Sequence, residues 1–288
     1  MNKRPAIFWS AYEDGIVSCS LCPHSCKIPD GSAGFCGVRE NIGGKLYAMG
    51  YGRVSSIALD PVEKKPLYRF HPGRNVLSIG GFGCNMRCPF CQNCEISMEH
   101  DETRQNARIF TPEQINGLAR QTVSENNIGV AYTYNEPLIG YEFLYDCARL
   151  VRDAGLKNVV VTNGYISREP LEALLPLIDA MNIDLKGFSD RFYQELSGGL
   201  EAVKETIAIA RERCHVEITT LIIPGENEND VVELARWIAS LDPEIPLHLS
   251  RFFPRYRYSD RAPTPRETIL KLRDEAGKFL TNVFVGNM

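Results

Sequence analysis

Four cysteines stand in GCNMRCPFCQNC, residues 83–94: Cys84, Cys88, Cys91 and Cys94. Thiolates separated by two or three residues can converge on metal within a turn. Three of them in the spacing C-x3-C-x2-C can hold three irons of a [4Fe–4S] cube. The fourth iron is then open to a small molecule that binds through nitrogen and oxygen. A fourth thiolate, Cys94, would instead close the centre and make it structural. A second group, Cys19, Cys22, Cys26 and Cys36, has the spacing C-x2-C-x3-C-x9-C, and His24 could replace one member. Four thiolates suit zinc or an iron–sulfur cluster equally. Zinc would staple a loop-rich segment too small to hold its own core. An auxiliary cluster would relay an electron.

These two groups take eight of the ten cysteines, and Cys147 and Cys214 stand alone in helix-like segments as small apolar side chains. The opening MNKRPAIFWSAYEDG has basic residues but no continuous apolar stretch, so no signal peptide is expected and the cytoplasm is the default location. Clustered cysteines in that compartment read as metal ligands rather than disulfides. No apolar run approaches the roughly 18 residues of a membrane span. The chain has 288 residues, 44% hydrophobic and 24% charged, with a formal net charge of −4. That charge argues against nucleic acid as the main partner, because phosphate binding needs a basic surface. The one local basic stretch, RFFPRYRYSDR at 251–261, reads as a solvated loop with stacked aromatics.

Two regions must position these groups. Residues 1–74 are rich in glycine, proline and cysteine and are expected to form a loop-dominated N-terminal region with the second metal site. From 75 to 288 short β-branched runs alternate with helix-period segments. Strands are expected at 75–81, 128–137, 158–165, 180–187, 215–225, 245–254 and 282–287. Helices are expected at 111–127, 139–154, 169–178, 199–213, 229–241 and 264–280. Thr111 is the N-cap of the first helix and Pro112 its first residue. Such alternation builds an α/β fold with a buried parallel sheet. The length from 75 onward is short for a complete eight-unit barrel, so a partial (β/α)6 TIM-like barrel is expected. Its strand ends carry the polar residues: Cys84, Asn135 and Glu136, Thr162 and Asn163, Asp184 and Lys186, His248 and Arg251. In barrel-like α/β folds the ligand site lies at the carboxyl ends of the strands.

At CNMRCPFC, residues 84–91, the chain resembles the radical S-adenosylmethionine (SAM) superfamily, whose motif is C-x3-C-x-aromatic-x-C. Further segments extend the likeness: CSLCPHSCKIPDGSAGFCGVREN (19–41), DPVEKKPLYRFHPG (60–73), YTYNEP (132–137), TNGY (162–165), IDLKG (183–187) and HLSRFFP (248–254). Together they resemble the AmmeMemoRadiSam-system radical SAM protein, a family related to the activating enzymes of pyruvate formate-lyase. The resemblance implies an oxidoreductase that cleaves SAM reductively at a [4Fe–4S] cluster. The products are methionine and a 5′-deoxyadenosyl radical, which abstracts hydrogen from a substrate.

The resemblance also implies roles. Cys84, Cys88 and Cys91 hold the cluster and Cys94 stands aside, since a fourth ligand would leave SAM no site. Glu136, beside Asn135, accepts hydrogen bonds from the methionine ammonium. Asp184 and Lys186, alternate residues of one strand, face the same side and contact SAM. Thr162 and Asn163 serve the ribose, and His248 and Arg251 contact SAM or substrate. A flavodoxin or ferredoxin would donate the electron. The substrate is a partner protein or peptide, or alternatively a small molecule or side chain modified together with Memo/AMMECR1-type proteins. A reading of another class is a non-catalytic iron–sulfur or zinc scaffold.

Overall fold

The computed structural model of the protein describes residues 3–98 and 107–288. Its centre is an eight-stranded sheet: β1 Ser56–Pro61, β2 Asn75–Gly80, β3 Asn127–Tyr132, β4 Lys157–Thr162, β5 Ala180–Asp184, β6 His215–Ile222, β7 Leu247–Arg251 and β8 Val283–Gly286. Each strand pairs with its neighbours in sequence, and the sheet is open between β1 and β8. Strands β2 to β8 are all parallel, while β1 runs antiparallel along β2. Six β/α units followed by a seventh parallel strand make the expected open partial barrel. The parallel strands are apolar because both faces are covered: every residue of β3 is buried.

The crossover helices are α1 Pro112–Gln121, α2 Tyr141–Asp153, α3 Arg168–Leu174, α4 Asp190–Glu195, α5 Leu200–Ala210, α6 Val231–Leu241 and α7 Arg266–Ala276. Thr111 caps α1 with a full capping box completed by Gln114. This helix is shorter than the pattern at 111–127 predicts. Asn126 takes a left-handed φ of 63°, which ends the helical path. Asn127 then enters β3, its side chain bonding the Leu77 and Gly129 amides and the Ala119 carbonyl. The short helix α4 lay unread in the sequence.

Residues 3–54 are built of small antiparallel sheets rather than loops alone. One joins Trp9–Ala11, Val17–Cys19 and Lys27–Ile28; another joins Arg4–Pro5, Lys45–Ala48 and Arg39–Ile42. Their apolar residues Val17, Leu21, Ile28 and Leu46 belong to the same core as barrel residues such as Leu144 and Ile183. A buried ion pair reinforces that junction: Arg39 Nη1 donates to Glu142 Oε1 of α2 at 3.0 Å. Between β1 and β2, residues 62–74 close the amino ends of the strands, where the Tyr68 and Arg69 amides donate to Glu217 of β6. None of the described helices is long and apolar enough to cross a membrane.

Candidate active site

Cys84, Cys88 and Cys91 lie on the loop that leaves β2 at its carboxyl end. Glycines make that loop: Gly83 has φ +80°, and a Cβ there would sit 2.5 Å from the Cys36 carbonyl oxygen. Asn135 holds the strand end from above β3. Its Oδ1 accepts from the Gly81 amide at 2.9 Å, and its Nδ2 donates to the Gly83 carbonyl at 3.1 Å.

The three cysteines line one cleft of about 360 Å³ together with Asn135, Glu136, Thr162, Asn163, Asp184 and Lys186. Seven of the residues expected at the strand ends therefore meet at one place, together with Cys88 and Cys91. A larger groove, about 1030 Å³, runs past Arg152, Lys157, Asp179 and Arg213 and holds none of the candidate residues.

Glu136 organises the rim. Its Oε1 accepts from the Thr162 hydroxyl at 2.7 Å and the Leu138 amide at 3.0 Å, and its Oε2 accepts from the Asn163 amide at 2.8 Å. Burial nevertheless pushes its pKa from 4.5 up to about 7, outweighing those donors. Gly164 takes the left-handed turn after β4 with φ +70°, where a Cβ would come 2.9 Å from Ile183. Asn163 Nδ2 then reaches back to Asn85 Oδ1 at 2.9 Å and Cys84 Sγ at 3.6 Å. Lys186 Nζ donates to Asp184 Oδ2 at 3.0 Å. Burial works against that ammonium, but Asp184 and the nearby Cys88 outweigh it and raise the lysine pKa.

The donor set fits an iron–sulfur cluster. Cys84 Sγ accepts from the Met86 amide at 3.3 Å as well as from Asn163, the kind of N–H donation that tunes cluster sulfurs. Burial pushes the Cys84 thiol pKa far up and that of Cys88 to about 11, so these thiols need a metal's charge to become thiolates. Cys94, at the start of the single turn Cys94–Ser97, is buried at 7% exposure and is not among the cleft-lining residues.

Two residues expected to contact SAM or substrate are not among those lining the cleft. His248 is buried below the cleft, where its Nε2 meets Glu217 Oε2 at 2.6 Å and its ring stacks on Phe284. Burial opposes the Glu217 charge. Hydrogen bonds from His215, His248 and the Arg69 and Tyr68 amides overcome that and hold its pKa down to about 2. Arg251 donates from Nε to the Thr264 carbonyl and lies over Phe253. It too is outside the cleft-lining set. In the basic stretch, Arg255 pairs with Glu95, and Arg261 pairs with Glu226 and covers Tyr258.

Sequence reading missed other residues that line the cleft, among them Lys64, Lys65, Tyr134, Thr219, Ser250 and Asn287. Tyr134 has φ +71° and donates its hydroxyl to Asp60 Oδ2 at 2.7 Å, and Lys65 Nζ reaches the same oxygen at 2.8 Å. Strand alternation carried a signal for Ser250, two residues beyond His248 on one face. Nothing local to Tyr134 announced an inward aromatic.

The second cysteine group, Cys19, Cys22, Cys26 and Cys36, consists of free thiols, with Cys19 and Cys36 buried and Cys22 and Cys26 partly exposed. His24 is turned toward the first loop, its Nε2 2.8 Å from the Asn85 carbonyl oxygen. Among the described residues no three His, Cys, Asp or Glu side chains converge closely enough to hold a single ion. A cube places its thiolates on different irons and does not require such convergence.

A family model described as the radical SAM superfamily matches residues 78–238. A protein of Methanocaldococcus jannaschii, itself described as uncharacterized, is 44% identical over 291 residues, covering 99% of this chain and 85% of that protein. The pyruvate formate-lyase 1-activating enzyme of Escherichia coli is 27% identical over 155 residues, which are 51% of this chain and 61% of the enzyme. The crystal structure of QueE from Escherichia coli superposes with a TM-score of 0.52 at 12% identity, covering 82% of this chain and 94% of that one. At that identity the likeness is one of fold.

Proposed function

Because this chain belongs to the radical SAM superfamily, we propose that it cleaves SAM reductively and abstracts hydrogen from a partner protein or peptide. A [4Fe–4S] cluster with bound SAM supplies one-electron cleavage of the S–C5′ bond, giving methionine and a 5′-deoxyadenosyl radical. The chain's own residues hold and enclose it. Cys84, Cys88 and Cys91 ligate the cluster, and Cys94 does not. Asn163 and the Met86 amide donate to the Cys84 sulfur.

Glu136, anchored by Thr162 and the Asn163 amide, presents a carboxylate to the methionine amino group. Lys186, kept charged by Asp184, offers its ammonium to the SAM carboxylate. The barrel walls keep bulk water from a reactive species. The observation that carries this reading is the meeting of the three cysteines with Glu136, Asp184 and Lys186 in one cleft at the carboxyl ends of the strands. A protein substrate is supported by likeness to an enzyme whose name states that it activates pyruvate formate-lyase.

The test is anaerobic reconstitution with iron and sulfide, followed by SAM and dithionite. Release of 5′-deoxyadenosine supports the reading, and its absence from cluster-loaded protein removes it. A second reading, modification of a small molecule alongside Memo/AMMECR1-type partners, is favoured by the cleft, where residues 62–74 close the barrel and Lys64 and Lys65 line the cavity. Turnover in deuterated solvent separates the two: deuterium in a partner polypeptide supports the first, and deuterium in a small product supports the second.

A further inference from the structure

We propose that Cys19, Cys22, Cys26 and Cys36 ligate a second [4Fe–4S] cluster, which passes single electrons to the cluster held by Cys84, Cys88 and Cys91. Backbone contacts bring Cys19, Cys22 and Cys26 together. The Cys19 amide donates to the Cys26 carbonyl at 2.9 Å, and the Ser25 amide donates to the Cys22 carbonyl at 3.1 Å. Cys22 interacts electrostatically with Cys19 and Cys36, and Cys36 with Cys19 and Cys26, so the four form one group.

A separate observation points to something missing among them. Arg39 is 1% exposed and interacts electrostatically with both Cys19 and Cys36. Its Nη1 and Nη2 are taken by Glu142 and the Ile7 carbonyl, but its Nε, fully buried, has no partner. A buried donor left unpaired is costly, and such groups usually mark an acceptor that completes the site. Cluster sulfurs supply both acceptors and negative charge there. A cube sets each thiolate on its own iron.

The relay follows from contact between the two cysteine loops. Asn85, the residue after Cys84, joins them: its side chain hydrogen-bonds the Cys22 thiol, and its carbonyl oxygen lies 2.8 Å from His24 Nε2. Asn163 bonds both Asn85 Oδ1 and Cys84 Sγ. Arg87 ties the Cys84 carbonyl to that of Phe35, the neighbour of Cys36. Cys22 and Cys26 are partly exposed, which gives an electron a way in from the surface.

A low-potential one-electron donor of the flavodoxin or ferredoxin class reduces the second cluster from its 2+ to its 1+ state. The electron moves to the first cluster, the second returns to 2+, and no bond or proton changes. The relay rests on the radical SAM reading, but the presence of the second cluster does not.

The test uses full-length protein with Cys84→Ala, Cys88→Ala and Cys91→Ala together, reconstituted anaerobically, so that the first cluster is absent whatever its function. The expected result is about four irons and four sulfides per chain, with a dithionite-dependent paramagnetic signal. A single zinc without sulfide, or folded protein without metal, overturns the proposal. Cys22→Ser with Cys26→Ser in the otherwise natural chain controls for folding. It should keep the first cluster's iron and lose the second's, and retention of both sets overturns the assignment. In that variant flavodoxin-driven deoxyadenosine formation should be lost while dithionite-driven formation persists. Equal retention of both overturns the relay.

Discussion

Replacing Glu136 by glutamine should change how the protein's stability depends on pH. The carboxyl is 3% exposed. Burial lifts its pKa from 4.5 to about 7 against hydrogen bonds from Asn163, Thr162 and Leu138. A displacement of that size corresponds to about 3 kcal/mol. The folded protein holds this proton more tightly than the unfolded chain, so ionisation costs stability. The cost is absent well below pH 4.5, grows as pH rises toward 7, and is complete above that. Glutamine has no charge to bury at any pH. It does turn an amide nitrogen toward one of the three donors, at a fixed cost of about 1–3 kcal/mol. The variant should therefore be the less stable protein at about pH 5. By about pH 8 it should have gained a few kcal/mol relative to the parent. Thermal unfolding of cluster-loaded, SAM-free protein at constant ionic strength reads this out. At this chain length the gap in Tm should move by roughly 5–10 °C. Negative charge on the nearby thiolates acts in the same direction. A gap in Tm that is flat across this range would refute the buried-charge account of Glu136.

Cys91→Ala should lose both bound iron and deoxyadenosine formation, whereas Cys94→Ala should keep both; iron analysis with product assay checks the pair. Lys186→Ala should abolish SAM binding while leaving the cluster spectrum in place, measured by equilibrium dialysis of reconstituted protein. Glu142→Leu should strand the Arg39 guanidinium without its carboxylate and cost about 3–5 kcal/mol in denaturant unfolding. Gly80→Ala would put a Cβ 2.9 Å from Tyr134 Cδ2 and 3.1 Å from the Thr133 carbonyl oxygen. It should push Tyr134 off Asp60 and reduce turnover with cluster content unchanged.

Much of this molecule was legible in one dimension. Hydrophobic period and length gave the alternation of strands and helices, because burial on both faces of a parallel sheet imposes apolar runs. The cysteine spacing gave the cluster motif because a turn brings such neighbours together whatever surrounds it. Polar residues at strand ends gave the rim, since the topology of parallel strands puts those ends on one side. Side-chain direction and long-range partners were a different matter. His248 read as a rim residue, but the packed barrel sets it below the rim against Glu217, 31 positions away in the chain. Tyr134 and Lys65 converge on Asp60 only after residues 62–74 close the barrel from below. Arg39 interacts with the Cys19 and Cys36 thiols and pairs with Glu142, 103 positions distant. Local spacing records what the backbone brings together by itself. Which buried charge meets which partner is decided by three-dimensional packing, where the cost of leaving such a group unpaired selects the arrangement.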